Sequence, residues 1–185
     1  MSRRPVVTGA DWLLGRRAGT GIATSHAAAY WVAQVAGGIG GALLANVMFD
    51  RRVLEISTKH RLTTGHLVGE AVATAGLIAL IFVLARTGRA GLSAAAVGAY
   101  IGAAYWFTSS TSFANPAITI GRIFSDSFAG IAPGSAPGFI AAQIVGGLLG
   151  LGLVAVLYPE AARTADDVVV PHHNSKPSVD QWSSS

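Results

Sequence analysis

Polar and charged residues along this chain collect in short connectors between long apolar runs. Residues 18–49, 90–121 and 127–159 contain no Asp, Glu, Lys or Arg, and residues 62–85 contain Glu70 alone. A bilayer crossing by a helix needs roughly 20 mostly apolar residues. The pattern therefore predicts four spans, at 26–49, 65–85, 92–108 and 138–158. Their connectors are "DRRVLEISTKHR" at 50–61, "RTGRAG" at 86–91 and a long stretch at 109–136. Fold class follows from this pattern: an all-α integral membrane protein. Small residues recur within the spans, as in Gly37-Gly38, Gly40-Gly41 and Gly98/Gly102. In lipid they permit the close backbone packing that draws helices together.

One apolar run breaks where a membrane helix would not be expected to stop. Ser112 to Arg122 reads "SFANPAITIGR". Asn115 is a favoured helix N-cap and Pro116 suits the first helical position. The stretch at about 116–124 is thus predicted to be a short half-helix with its positive dipole end at Asn115. Non-helical backbone at membrane depth survives only where it is buried in protein or lines a cavity. With its carbonyl occupied by the backbone, the Asn115 amide could donate to a passing neutral polar solute. A positive end at that point disfavours cations. Taken alone, an Asn-Pro turn between two soluble helices would read the same way; the flanking uncharged runs and a repeat favour the pore.

The repeat pairs "AQVAGGIGG" (33–41) with "AQIVGGLLG" (142–150), and "PVVT" (5–8) with "PAIT" (116–119). The second copy holds two spans, a broken segment and a third span. The first holds a broken segment, expected as a half-helix at about 5–15, and span 26–49. Three spans per copy is an odd number, so the copies are expected to be inverted. Two re-entrant half-helices would then meet near the midplane, the arrangement that marks a solute pathway. On this reading the chain begins partway through its first repeat.

Composition narrows the picture. The chain has 185 residues, 12% charged, about half the usual fraction of a soluble domain. It has no cysteine, which excludes a disulfide scaffold. The net charge of +4 is spread among connectors rather than gathered on one face, which argues against a nucleic-acid partner. "MSRRPVVTGADWLLGRR" lacks the apolar core of a signal peptide and is not expected to be one. Residues 160–185 are polar and aperiodic and are expected to be a disordered tail. His172-His173 has no partner ligands in sequence, so no metal site is assigned. No nucleophile–base pair or phosphate loop appears, so neither an enzyme nor a cofactor is expected.

Residue by residue, the chain resembles the aquaporin (major intrinsic protein) family. "SFANPAITIGR" looks like its second signature loop, and "PVVTGADWLLGRR" like the segment after its first Asn-Pro-Ala. "GEAVAT" (69–74) resembles the opening of its fourth helix and "AYWVAQVAGG" its third. The resemblance covers residues 5–158. It implies a six-span channel with two half-helices, usually a homotetramer in the cytoplasmic membrane, passing small uncharged solutes among membrane lipid. The pore motif would comprise Asn115, Pro116 and Ala117, with Pro5 and Val6 in the first copy. Two departures stand out. The family's first Asn falls on Arg4, which together with the missing leading spans suggests a truncated reading frame. Its selectivity arginine falls on Ile118, and the other constriction positions fall on Ser112 and Ala103. An aliphatic and two small side chains imply a wider, less polar constriction. That pattern resembles channels found beside bacterial arsenic-resistance genes, which implies glycerol, similar polyols or arsenous acid as solutes.

Glu70 is the only acid within a predicted span. An intramembrane acid is a functional candidate, and a proton-coupled transporter would use one. The resemblance implies instead that it accepts hydrogen bonds from a re-entrant loop. Gln34 and Gln143, equivalent in the repeat, are expected to bond between helices. Tyr30, Trp31, Tyr105, Trp106 and Tyr158 sit near span ends, as interfacial anchors do. In the family's topology eight basic residues (Arg3, Arg4, Arg16, Arg17, Arg86, Arg89, Arg163, Lys176) face the cytoplasm and five (Arg51, Arg52, Lys59, Arg61, Arg122) face out. The expectation is a passive channel for small uncharged solutes (water, glycerol or metalloid hydroxides such as arsenous acid); the alternatives are a non-conducting remnant and a secondary transporter.

Overall fold

The computed structural model describes residues 24–158. The expected half-helix at 5–15 and the tail at 160–185 lie outside that range. Helix α1 is Thr24–Met48, α2 Thr64–Arg86, α3 Ser93–Phe107, α4 Pro116–Gly121 and α5 Ala136–Leu157. Short 3-10 turns at Ala90–Leu92, Arg122–Phe124 and Pro133–Ser135 lead into α3, continue α4 and lead into α5. Four of these stretches, Ala28–Met48, Thr64–Arg86, Ala90–Phe107 and Pro133–Leu157, are long and apolar enough to cross a membrane. At 1.5 Å per residue, α2 is about 35 Å long, enough for the hydrocarbon core. Large apolar side chains such as Val32, Leu44, Leu148 and Val156 face outward, as lipid-facing helices require. The described residues thus form an all-α membrane fold.

The helix ends carry their own stop signals. Thr63 caps α2, its hydroxyl accepting from the His66 N–H at 3.3 Å. Gly88 follows the last turn at φ +69°, a left-handed position that glycine takes without strain, and Arg89 N donates to the Leu84 carbonyl at 2.8 Å.

Two backbone-to-backbone crossings organise the bundle. α5 lies along α2, and a Cβ at Gly146 or Gly150 would strike the carbonyl of Ala71 or Ala75. Ile78, Phe82 and Val154 fill the space beside that crossing. α1 crosses α4 in the same manner: a Cβ on Gly38 would stand 2.9 Å from the Ala117 carbonyl oxygen, and one on Gly121 would stand 2.6 Å from the Gly38 oxygen. α3 joins through Val97 against Ala73 and Leu77, and through Tyr100, whose hydroxyl donates to the Ala73 carbonyl at 3.0 Å.

At one end the 50–63 connector lies against the segment that follows α4. Ser57 N donates to the Ile123 carbonyl at 2.8 Å, and Ala132 N to the Lys59 carbonyl at 2.8 Å. Arg61 is buried and donates to the carbonyls of Gly130 (2.7 Å) and Phe128 (2.6 Å). Asn46, at the end of α1, donates to the Val53 and Phe124 carbonyls at 3.1 and 2.9 Å. Asp126 receives the Thr58 N–H at 2.9 Å. That bond, then the hydroxyls of Thr58 and Ser57 and the charge of Lys59, hold its carboxyl below the usual aspartate range.

The close crossing predicts a contrast between neighbouring glycines of α1. Gly40 has open space where a Cβ would go, so Gly40→Ala should leave stability unchanged or raise it slightly. Gly38→Ala should lower it by about 1–3 kcal/mol through overpacking, read from thermal unfolding in detergent. A depressed folded pKa contributes stability above the unfolded value that is lost as pH falls through the folded one. The protection of the Thr58 amide, its intrinsic exchange rate divided by the observed rate at the same pH, should therefore fall as pH drops below the ordinary aspartate range. Asp126→Asn should abolish that pH dependence.

Candidate functional site

The site is built on the break between α3 and α4. After Phe107 the chain runs without regular structure to Asn115, and Thr111, Ser112 and Ala114 take positive φ values of 65°, 50° and 46°. Left-handed backbone costs a residue with a Cβ about 1–2 kcal/mol, and such strain persists only where the surroundings over-determine it. Here they do. Glu70, 0% exposed in the middle of the bundle, accepts from the Phe113 N–H at 3.2 Å and the Ala114 N–H at 2.5 Å. Ser112 N donates to the Ser110 hydroxyl at 3.1 Å. The Ser112 hydroxyl donates to the Ala104 carbonyl at 2.7 Å and pairs with the Thr108 hydroxyl. It thereby ties the loop to the last turn of α3.

Asn115 then starts α4 from an extended conformation (φ −162°, ψ 117°). Its side-chain oxygen accepts from the Ala117 N–H at 2.9 Å, and Pro116 occupies the first position, where a missing N–H costs nothing. The Asn115 carbonyl accepts from the Thr119 N–H at 3.0 Å and the Thr119 hydroxyl at 3.1 Å. Gln143 of α5 closes the network. Its amide nitrogen donates to Glu70 at 2.7 Å and to the Thr119 hydroxyl at 2.8 Å. Glu70 and Gln143 thus link α2, α5, the loop and α4 through one set of bonds.

An open cleft of about 390 Å³ runs beside this tip. Asn115, Ala117, Ile118, Ser112 and Gln34 line it, with Thr111, Phe113, Ile101, Tyr105 and Arg122. Both oxygens of the Asn115 side chain and backbone are engaged with α4, and no described residue accepts from its amide nitrogen. Ile118 is 39% exposed and gives the cleft an aliphatic surface. Gln143 and Glu70 are fully buried behind the loop rather than in the cleft wall. Arg4, Pro5 and Val6 lie outside the described residues.

Ala103, reached by counting back from Asn115, is exposed and does not line the cleft. α3 presents Ile101 and Tyr105 there instead. The reason is helical phase: residues four apart share a face, whereas Ala103 stands two positions from each and points the opposite way. Tyr105, expected as an interfacial anchor, belongs to the cleft wall, and its neighbour Trp106 is 86% exposed on the surface. Ile101, Tyr105 and Arg122, with Thr111 and Phe113 of the loop, were not expected as wall residues. For the helical three the signal was the four-residue spacing of 101 with 105 and of 118 with 122.

Glu70→Gln replaces an acceptor oxygen with a donor while keeping the shape. At least one of the three N–H groups on Glu70 then loses its partner, which costs about 1–3 kcal/mol for a buried group. A lower unfolding temperature in detergent is the expected result, with Glu70→Ala lower still.

Comparison with known proteins places the chain. The sequence model of the family described as Major intrinsic protein matches residues 5–113, stopping just ahead of Asn115. Aquaglyceroporin AqpS of Rhizobium meliloti (strain 1021) is 46% identical over 134 residues, which cover 72% of this chain and 57% of that relative. The chain therefore spans less than two thirds of the relative's length. No solved structure gives a significant match. Members of the family are membrane channels rather than enzymes. With more than half of its residues matched by the family model, this multi-pass membrane chain belongs to the major intrinsic protein family, the family of the aquaporins.

Proposed function

We propose that the protein is a passive channel for small uncharged solutes, with glycerol and undissociated metalloid acids such as arsenous acid as the permeants. The observation that carries this reading is the pairing of Asn115 and Ile118 on one cleft wall. Asn115 offers amide N–H groups to a solute oxygen, because its own oxygen is held by Ala117. Ile118, one helical turn along, offers no charge and no hydrogen bond. A solute with hydroxyl groups and an uncharged body meets a donor and an apolar surface in succession. Water alone gains nothing from the second. The 46% identical relative is named an aquaglyceroporin, which supports a polyol among the permeants.

In this reading Asn115, Pro116 and Ala117 form the pore motif, and Ser112 and Ile118 shape the constriction with Ile101 of α3. Pro5 and Val6 would contribute the matching motif of the first repeat. Glu70, Gln143 and Gln34 are supporting residues. The complete burial of Glu70 and the use of both its oxygens favour that role over proton coupling. The protein would sit in the cytoplasmic membrane as a homotetramer in contact with lipid, and it needs no cofactor, since permeation exchanges hydration for transient hydrogen bonds.

Liposome swelling tests the proposal. Vesicles holding the full chain should swell in glycerol faster than empty vesicles. Ile118→Arg should slow the glycerol flux about tenfold, equivalent to a barrier higher by about 1.4 kcal/mol. Equal flux through the two proteins would overturn the role given to Ile118, and swelling no faster than that of empty vesicles would overturn the channel.

A further inference from the structure

Six arginines fall among the described residues, and five have evident surroundings. Arg51 bonds Glu55 and the Asp126 carbonyl. Arg61 bonds two carbonyls, and Arg86 bonds the Tyr158 carbonyl and lies over its ring. Arg52 and Arg89 are exposed. Arg122 is different: it is half-buried, it lines the cleft, and no described group accepts from its guanidinium.

Its position relative to Ile118 is fixed by the backbone. The Arg122 N–H donates to the Ile118 carbonyl, so the two residues are one complete helical turn apart and share a face. Side chains so related have Cβ atoms about 6 Å apart. The crossing of Gly38 with Gly121 and the bond from Ile131 N to the Arg122 carbonyl at 3.3 Å hold this turn in place. Tyr105 and Gln34 stand on other walls of the same cleft.

We propose that Arg122 is a specificity residue of the solute path, supplying one turn beyond Ile118 the cation and hydrogen-bond donors that Ile118 lacks. A planar guanidinium is a cation that presents five donors. Facing a cleft whose walls are mostly apolar, it raises the local potential for cations and offers donors to oxygen-rich neutral solutes. It would thus exclude hydronium and metal cations while engaging the hydroxyls of polyols or undissociated oxyacids. This inference rests on the channel reading above.

The chain has no cysteine, so Ile118→Cys introduces a single thiol beside Arg122. In proteoliposomes of the full chain, its reaction with an anionic and a cationic methanethiosulfonate of similar size measures the local potential. Rates are normalised to those with a free thiol in solution. The anionic reagent should be favoured by about five- to tenfold at low salt. That preference should shrink in 1 M salt, where the screening length falls to about 3 Å. Adding Arg122→Gln should bring it near parity; adding Arg122→Lys should keep most of it. Absence of an anionic preference in the Ile118→Cys protein, or a preference unmoved by Arg122→Gln, would overturn the role of Arg122 and leave the channel reading standing. Reaction with neither reagent would mean a dry cleft and would overturn both.

Discussion

The structure around the site depends on one buried carboxylate. Glu70 stands in the second turn of α2, away from water, and takes two backbone N–H groups from the loop and one amide N–H from α5. Three left-handed residues with side chains make that loop costly, on the order of 3–6 kcal/mol at 1–2 each. Hydrogen bonds to a charged acceptor contribute about 1.5–3 kcal/mol apiece. Two such bonds are of the size needed to offset the strain, and in lipid no water could replace them. The carboxylate is therefore less a charge in the membrane than the acceptor that lets irregular backbone exist there.

The other constraints act on the half-helix once the loop has delivered it. A helix of six residues has no intrinsic stability, so α4 must be held from outside. Thr119 and Gln143 fix it on the side of α5, and Gly38 lets α1 approach to backbone contact on another. Beyond its last turn, Asn46 and the 50–63 connector bind the carbonyls of the following segment.

Much of this was legible in the sequence, for identifiable reasons. The spans announced themselves by the absence of charge, and the start of α4 by Asn115-Pro116, because capping and proline chemistry are local. Glu70 was conspicuous as a lone acid, although its partners followed from resemblance rather than from spacing. What stayed hidden depended on rotation and on three-dimensional neighbours. No composition rule marks Thr111, Ser112 and Ala114 as left-handed, since none is a glycine or an asparagine and tertiary bonds impose the conformation. Counting back to Ala103 assumed a fixed path between α3 and Asn115, and the irregular loop makes the phase of α3 independent of that count. Ser112 was expected as a small constriction residue; that its hydroxyl ties the loop to α3 was not legible in the sequence.

The same separation of local from tertiary information bears on how the proposed path would select. Asn115 and Arg122 are seven residues apart, about 10 Å along a helix rising 1.5 Å per residue, with Ile118 between them on the shared wall. Moving the cation a turn away from the tip separates donors that a tighter, more polar constriction would bring together. A molecule small enough to touch one donor at a time must cross the Ile118 surface with its hydrogen bonds unmade. One with several hydroxyls and a carbon backbone can keep a bond to one donor while its apolar side passes the isoleucine. Chain length and hydroxyl spacing of the solute, rather than diameter alone, then become the discriminating variables. Such a path would favour short polyols and compact neutral oxyacids over cations, because a cation meets repulsion at Arg122 while a neutral hydroxyl-bearing solute can bond to either donor and pass the isoleucine with its apolar side.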